Sequence, residues 1–240
     1  MKASSKIVYI TLAVLLLCLV TLYIFSGGNG RAVTSENYYE FEPESLLKTL
    51  ANGNDTVFSP VDSDTVGNET YSYGLVSWTQ SDYLYIASAV HQLVWHESVE
   101  SWAIGSLHFN LACSKIDKGF QYAIFTYMKE KISIRGYSAV EHEIHIEPQQ
   151  GLISAWEFIY DPGLVRSKSV DMKDISITAD QALIIAEENG GSEIRAKNNN
   201  SCDTSASLSP NSVNYDGWRV MYSPQLFSIS IDPTTGEEVK

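Results

Sequence analysis

One eight-residue pattern is written twice in this chain and constrains its fold more than any other feature. Ile144-His145-Ile146-Glu147-Pro148-Gln149-Gln150-Gly151 and Ile229-Ser230-Ile231-Asp232-Pro233-Thr234-Thr235-Gly236 both read I-x-I-acid-P-x-x-G. The apolar pair at period two makes a strand with one buried face. The acidic side chain can bond its own turn backbone, proline presets φ, and glycine accepts a positive φ. Each copy therefore predicts a strand that stops in a tight turn, and a chain that does this twice is committed to antiparallel sheet.

A helix precedes each copy. Ser81-Asp82 offers an N-cap, and Tyr83, Ile86, Ala87, Val90, Leu93 and Val94 recur at helical spacing. Before the second copy, Thr178-x-x-Gln181 is a capping box, Ala182, Ile185, Ala186 and Asn189 form the inner stripe, and Gly190-Gly191 supplies a stop. Strands are expected at Tyr71 to Trp78, through the alternation of Leu107, Phe109, Leu111 and Cys113, and at Phe120 to Met128, Val140 to Glu147 and Ile153 to Tyr160. The second half offers Trp218 to Tyr222 and Leu226 to Ile231, while the Asn- and Ser-rich stretch from Lys197 to Asp216 reads as a long exposed loop. Trp102-x-Ile104 matches Trp218-x-Val220, so the two units read as a diverged tandem duplication.

At the other end, the nineteen residues from Ile7 to Phe25 carry no charge. At about 1.5 Å rise each they match the ~30 Å thickness of bilayer hydrocarbon. Lys2 and Lys6 precede the run, which places the N-terminus in the cytoplasm and the rest outside. A cleaved signal peptide ending near Ser26-Gly27-Gly28 is the alternative. The expected fold is thus α+β, an N-terminal transmembrane helix followed by two helix-on-antiparallel-sheet units. Residues 1–6 form a cytoplasmic tail, 7–25 the anchor and bilayer contact, and 26–69 a juxtamembrane linker with a short helix at 43–52. Residues 70–162 form the first unit and 163–240 the second. The expected location is the cell membrane, single-pass, with the working domain extracytoplasmic.

Charge narrows the partners. Beyond the apolar run stand 14 basic and 29 acidic residues, a net −15 that repels nucleic acid and anionic head groups. Two cysteines follow the anchor. Cys113 falls on the apolar side of a strand pattern and Cys202 in a polar stretch, so a buried thiol and a loop thiol is one reading and a disulfide is the other.

Residues 178–240 resemble a PepSY-type domain, a module of secreted-metallopeptidase propeptides and membrane-anchored bacterial proteins. The matching positions are Thr178, Ala182, Ile185 and Ala186 on the helix, Trp218-x-Val220 on a strand, and Ile229-x-Ile231-Asp232-x-x-Thr235-Gly236 at the final turn. The resemblance implies a helix packed on a small antiparallel sheet outside the membrane, with a protein-interaction or peptidase-modulating role. It carries over no catalytic residue. The stretch from Lys197 to Asp216 departs from the compact family pattern.

A search for chemistry agrees. The sequence has no G-x-S-x-G elbow, no phosphate loop following a strand, no H-E-x-x-H pair, and no cysteine with a neighbouring Cys or His at zinc spacing. His142 and His145 lie three apart on a strand and point to opposite faces. His142 shares its face with Val140, Ile144 and Ile146, while His145 stands with Glu141, Glu143 and Glu147 on what reads as a solvated acidic face. His108 alternates outward as a surface histidine. The sequence therefore predicts a non-catalytic, extracytoplasmic binding or regulatory protein without cofactor or metal, engaging a protein partner through Glu141, Glu143, His145 and Glu147 or through a sheet edge. The alternative is a small-ligand or enzymatic domain whose site is assembled from scattered residues, that same cluster first.

Overall fold

The computed structural model of the chain describes residues 31–53, 57–64, 66, 73–133, 136–163, 169–210, 217–224 and 227–239. Nine strands build one continuous, wholly antiparallel sheet, in the order β2-β1-β6-β5-β4-β3-β7-β8-β9. The strands are β1 (Arg31–Glu40), β2 (Ser59–Val61), β3 (Ala103–Ala112), β4 (Tyr122–Ser133), β5 (Gly136–Glu147), β6 (Leu152–Gly163), β7 (Asp203–Leu208), β8 (Trp218–Ser223) and β9 (Phe227–Ile231). The helices are α1 (Pro43–Ala51), α2 (Gln80–Trp95), α3 (Ala179–Ala186) and α4 (Ser192–Lys197).

This corrects the expected fold class. The two halves do not carry separate sheets, because β3, the first strand after α2, and β7, the first after α3 and α4, pair along Leu107↔Leu208 to Ala112↔Asp203. Two small sheets would each expose a row of unpaired backbone groups at that edge, and the joint satisfies both rows at once. The transmembrane helix expected over 7–25 lies outside the described residues, and no helix among the described residues is long and apolar enough to cross a membrane.

The joint escaped the sequence reading because Asp203–Leu208 is D-T-S-A-S-L. Its inward side chains are the buried Thr204, Ala206 and Leu208, too small and polar to announce a strand within a stretch read as loop. Cys202 and Cys113, at the ends of β7 and β3, form a disulfide across this joint. Other differences are local. The segment 31–40, read as linker, is β1, and residues 73–78, the described part of the strand expected from Tyr71 to Trp78, are irregular. The cap of α2 is Thr79, in a capping box with Asp82, two residues earlier than Ser81. Gly190-Gly191 is a kink between α3 and α4 instead of an end, with Gly190 at φ 115°.

The core lies on one face of the sheet. Tyr83, Ile86, Ala87 and Val90 of α2, and Ala179, Ala182 and Ala186 of α3, bury against Leu107, Phe109, Phe125, Ile144, Ile146, Ala206, Val220 and Ile231. The helix N-termini meet over the β3–β7 joint. Gln80 N donates to Asp180 Oδ2 (2.9 Å), and Ala179 N donates to Gln80 Oε1 (2.6 Å), so each helix start supplies a partner for a free amide of the other.

Both I-x-I-acid-P-x-x-G turns close the third strand after a helix, β5 and β9. Each turn holds the segment that leads into its helix. Tyr73 N bonds Gln149 O in the first, and Ser176 N and Ile177 N bond Pro233 O in the second, all at 2.9 Å. The tryptophans are not equivalent, which corrects the earlier pairing: Trp102 precedes the first strand after α2, whereas Trp218 opens the second strand after α3.

Candidate functional site

Strand alternation sends Glu141, Glu143, His145 and Glu147 to the face of the sheet away from the helices, together as the sequence predicts. They do not form a solvated acidic face. Glu141 is only 6% exposed, and the other three are half-buried. Arg31 of β1, two strands away, is the reason Glu141 and Glu143 can be buried. Its guanidinium donates to Glu141 Oε1 and to Glu143 Oε2, 2.6 Å each, and lies 3.4 Å from the ring centroid of Phe158. Arg31 falls in the segment expected to be linker, and no local pattern announces that its charge returns to β5.

The cluster continues as a relay. His145 Nε2 lies 2.8 Å from Glu143 Oε1 and His145 Nδ1 lies 2.5 Å from the Tyr122 hydroxyl. A carboxylate only accepts, so the neutral ring carries its hydrogen on Nε2 and accepts the Tyr122 proton at Nδ1. Trp156 packs edge-on against His145 at 4.3 Å, and Tyr160 donates to Glu141 Oε2 at 2.9 Å. Burial pushes the Glu141 carboxyl above the usual carboxylate range, and the Tyr160 and Arg31 bonds only partly reverse this. Burial acts the same way on Glu143, but there His145 and Arg31 outweigh it and leave the carboxyl below the usual range. Glu147 is raised by burial, with His145 opposing. Burial holds the Tyr122 phenol far up, and nearby Glu147 and Glu143 add to it, so Tyr122 acts as a hydrogen-bond donor and not as a phenolate. His108, expected at the surface, is half-buried, and burial together with His145 lowers its proton affinity.

A second polar chain lies on the helix face and was not anticipated. His91 Nδ1 faces the Glu97 carbonyl at 2.9 Å, and His91 Nε2 lies 2.9 Å from His142 Nδ1. His142 Nε2 lies 3.1 Å from Glu157 Oε2, while Thr34 donates to Glu157 Oε1 at 2.7 Å. His142 is sandwiched between Trp95, 3.8 Å away at 8°, and Trp102, 3.9 Å away at 29°. Face assignment placed His142 on the apolar side correctly. What it could not supply was His91, fifty-one residues earlier.

The residues on which the PepSY-like resemblance rests serve capping, packing and turn formation. Thr178 caps α3 in a box with Gln181, Ala182 and Ala186 are buried, and Ile185 packs at the rim of the core. Trp218 donates from Nε1 to Ile177 O at 2.7 Å, and Val220, Ile229 and Ile231 are buried. Asp232 Oδ1 accepts from the backbone of Thr234 and of Thr235, 2.8 Å each, and Gly236 takes φ 78°. Among the described residues no three His, Cys, Asp or Glu side chains are grouped as a metal site. The chain was compared with protein-family models, with curated proteins and with solved structures, and none of the three comparisons finds a match.

Proposed function

We propose that this chain is a non-catalytic binding module of the extracytoplasmic space that engages a protein partner on the open face of its sheet. The observation that carries the reading is the composition of that face. Tyr122, Trp156, Phe158 and Tyr160 surround Arg31, Glu141, Glu143 and His145, with Arg31 stacked on Phe158 and His145 against Trp156. Aromatic side chains and arginine held rigid beside satisfied polar groups are the composition of binding hot spots. The Cys113–Cys202 disulfide supports an oxidising compartment. The PepSY-like sequence of residues 178–240 suggests an envelope or secreted peptidase as the partner to try first. Affinity capture with the purified full chain should recover one specific envelope protein, and Trp156→Ala should weaken that capture by about tenfold or more. Recovery of no specific protein, with no effect on secreted peptidase activity, overturns the reading.

One observation favours a second reading, a small-ligand or acid–base site on the same face. It is the Tyr122–His145–Glu143 relay, in which a histidine oriented by a carboxylate accepts a proton from a hydroxyl. Thermal shift against a panel of metals and metabolites separates the two. A stabilising compound whose effect is lost in His145→Ala supports the relay, and no response across the panel eliminates it.

A further inference from the structure

The His91–His142–Glu157 chain has a fixed capacity for protons, set by its donors and acceptors. The Glu97 carbonyl only accepts, so His91 must carry hydrogen on Nδ1. Neutral His91 then offers a lone pair at Nε2, and His142 must donate to it from Nδ1. Neutral His142 is left with a lone pair at Nε2, facing a carboxylate oxygen. One added proton between His142 Nε2 and Glu157 pairs every atom of the chain. A second has no place: it would set an N–H of His91 against the N–H of His142 across 2.9 Å.

The surroundings sharpen that limit. His91 and His142 are 0% and 2% exposed, and the rings of Trp95 and Trp102 close over His142. The titratable and charged groups facing the pair are Glu97 from the turn after α2, Tyr127 and Lys129 from β4, and Glu157 from β6. Glu97 and Lys129 pair with each other at 3.0 Å, and Glu97 also accepts from Trp102 Nε1 at 2.9 Å, so neither is free to compensate a second buried imidazolium. The Tyr127 ring sits 5.3 Å from His91, and burial keeps its phenol neutral.

We propose that the His91–His142 contact is an acid-released latch, which clamps the C-terminal end of α2 onto β5 and, through Glu157 and Thr34, onto β1, the strand next to the sheet edge. Thr34 sits at the β1 bulge between Val33 and Ser35, and its hydroxyl reaches both the side chain and the carbonyl of Glu157. When the second proton enters, the histidine contact breaks and both elements lose an anchor. The direction follows from burial, which lowers the proton affinity of both rings, that of His142 to about 4. The opened chain then binds more protons than the closed one below the ordinary histidine range, so acid favours opening.

The test follows the purified full chain from about pH 7.5 to about pH 4.5, with histidine NMR for protonation and amide exchange corrected for intrinsic rates. The expected result is that opening of 91–95 and of β1 rises once the pH falls below about 6.5, by up to about tenfold per pH unit for each histidine proton that the opened chain binds and the closed chain does not. In the variant His91→Phe with His142→Phe, which keeps the stack between the tryptophans, the pH slope at these elements should flatten. If that variant does not fold, the wild-type profile decides alone. Two histidines titrating independently near their ordinary value, or exchange at α2 and β1 that does not change with pH, overturns the latch.

Discussion

At the residue scale, Gly151 shows how a turn signature becomes tertiary structure. Its φ of 63° suits the turn, and a Cβ there would meet the Tyr73 ring and stand 2.6 Å from the Phe41 carbonyl oxygen. Gly236 holds the matching place in the second turn, but its Cβ would meet only the flexible tips of Ile177 and Ile185, at 3.2 and 3.3 Å. Gly151→Ala should therefore cost about 2–4 kcal/mol and Gly236→Ala about 1–2 kcal/mol, measured by urea unfolding at neutral pH. Equal costs would mean that the turn conformation alone matters. The repeated motif was legible because proline, glycine and an acidic side chain act locally. The fit of Gly151 against Tyr73 was not, because it depends on a segment far away in the chain.

At the element scale, β1 depends on charge. Arg31 contributes the cation that allows Glu141 and Glu143 to be buried beside each other on β5. Arg31→Gln leaves those carboxylates with a weaker neutral partner and should destabilise the fold by about 1–3 kcal/mol at neutral pH. The sign of its pH dependence follows from Glu141, whose folded proton affinity is already raised by burial. Without Arg31 it rises further, and a raised acid favours the folded state when protonated. The deficit of the variant should therefore shrink as the pH falls through the carboxylate range, seen as converging unfolding midpoints. The helices are governed by a different device. The α3 capping box was read as T-x-x-Q, whereas the T-x-x-D box of α2 was missed in favour of Ser81, and Thr178→Ala should cost about 1 kcal/mol through the lost bond to Gln181 N.

At the scale of the whole molecule, the β3–β7 joint turns two helix-and-meander halves into one sheet. The disulfide across it links residues 89 positions apart, so the bond restricts a long loop of the unfolded chain and holds the central ladder closed. Replacing both Cys113 and Cys202 by alanine should cost about 2–5 kcal/mol and raise amide exchange first along β3 and β7. Unchanged stability would show that the ladder and the helix N-termini above it suffice. The candidate site belongs to this scale as well, since β1, β4, β5 and β6 each give the open face a side chain it requires.

The amino-acid sequence by itself determined the elements whose cause is local: the stripe of α2, the cap of α3, the alternating strands β3 to β6, and the assignment of His142 and His145 to opposite faces. Such features follow from backbone period and from side chains that bond within a few residues. Tertiary structure alone decided that D-T-S-A-S-L pairs as a central strand, that the cysteines meet, that Arg31 neutralises a carboxylate pair on β5, and that His91 finds His142. Each of these is a contact between residues remote in the chain, where burial and pairing across the sheet override weak local preference, and composition carries no record of which remote partner is chosen.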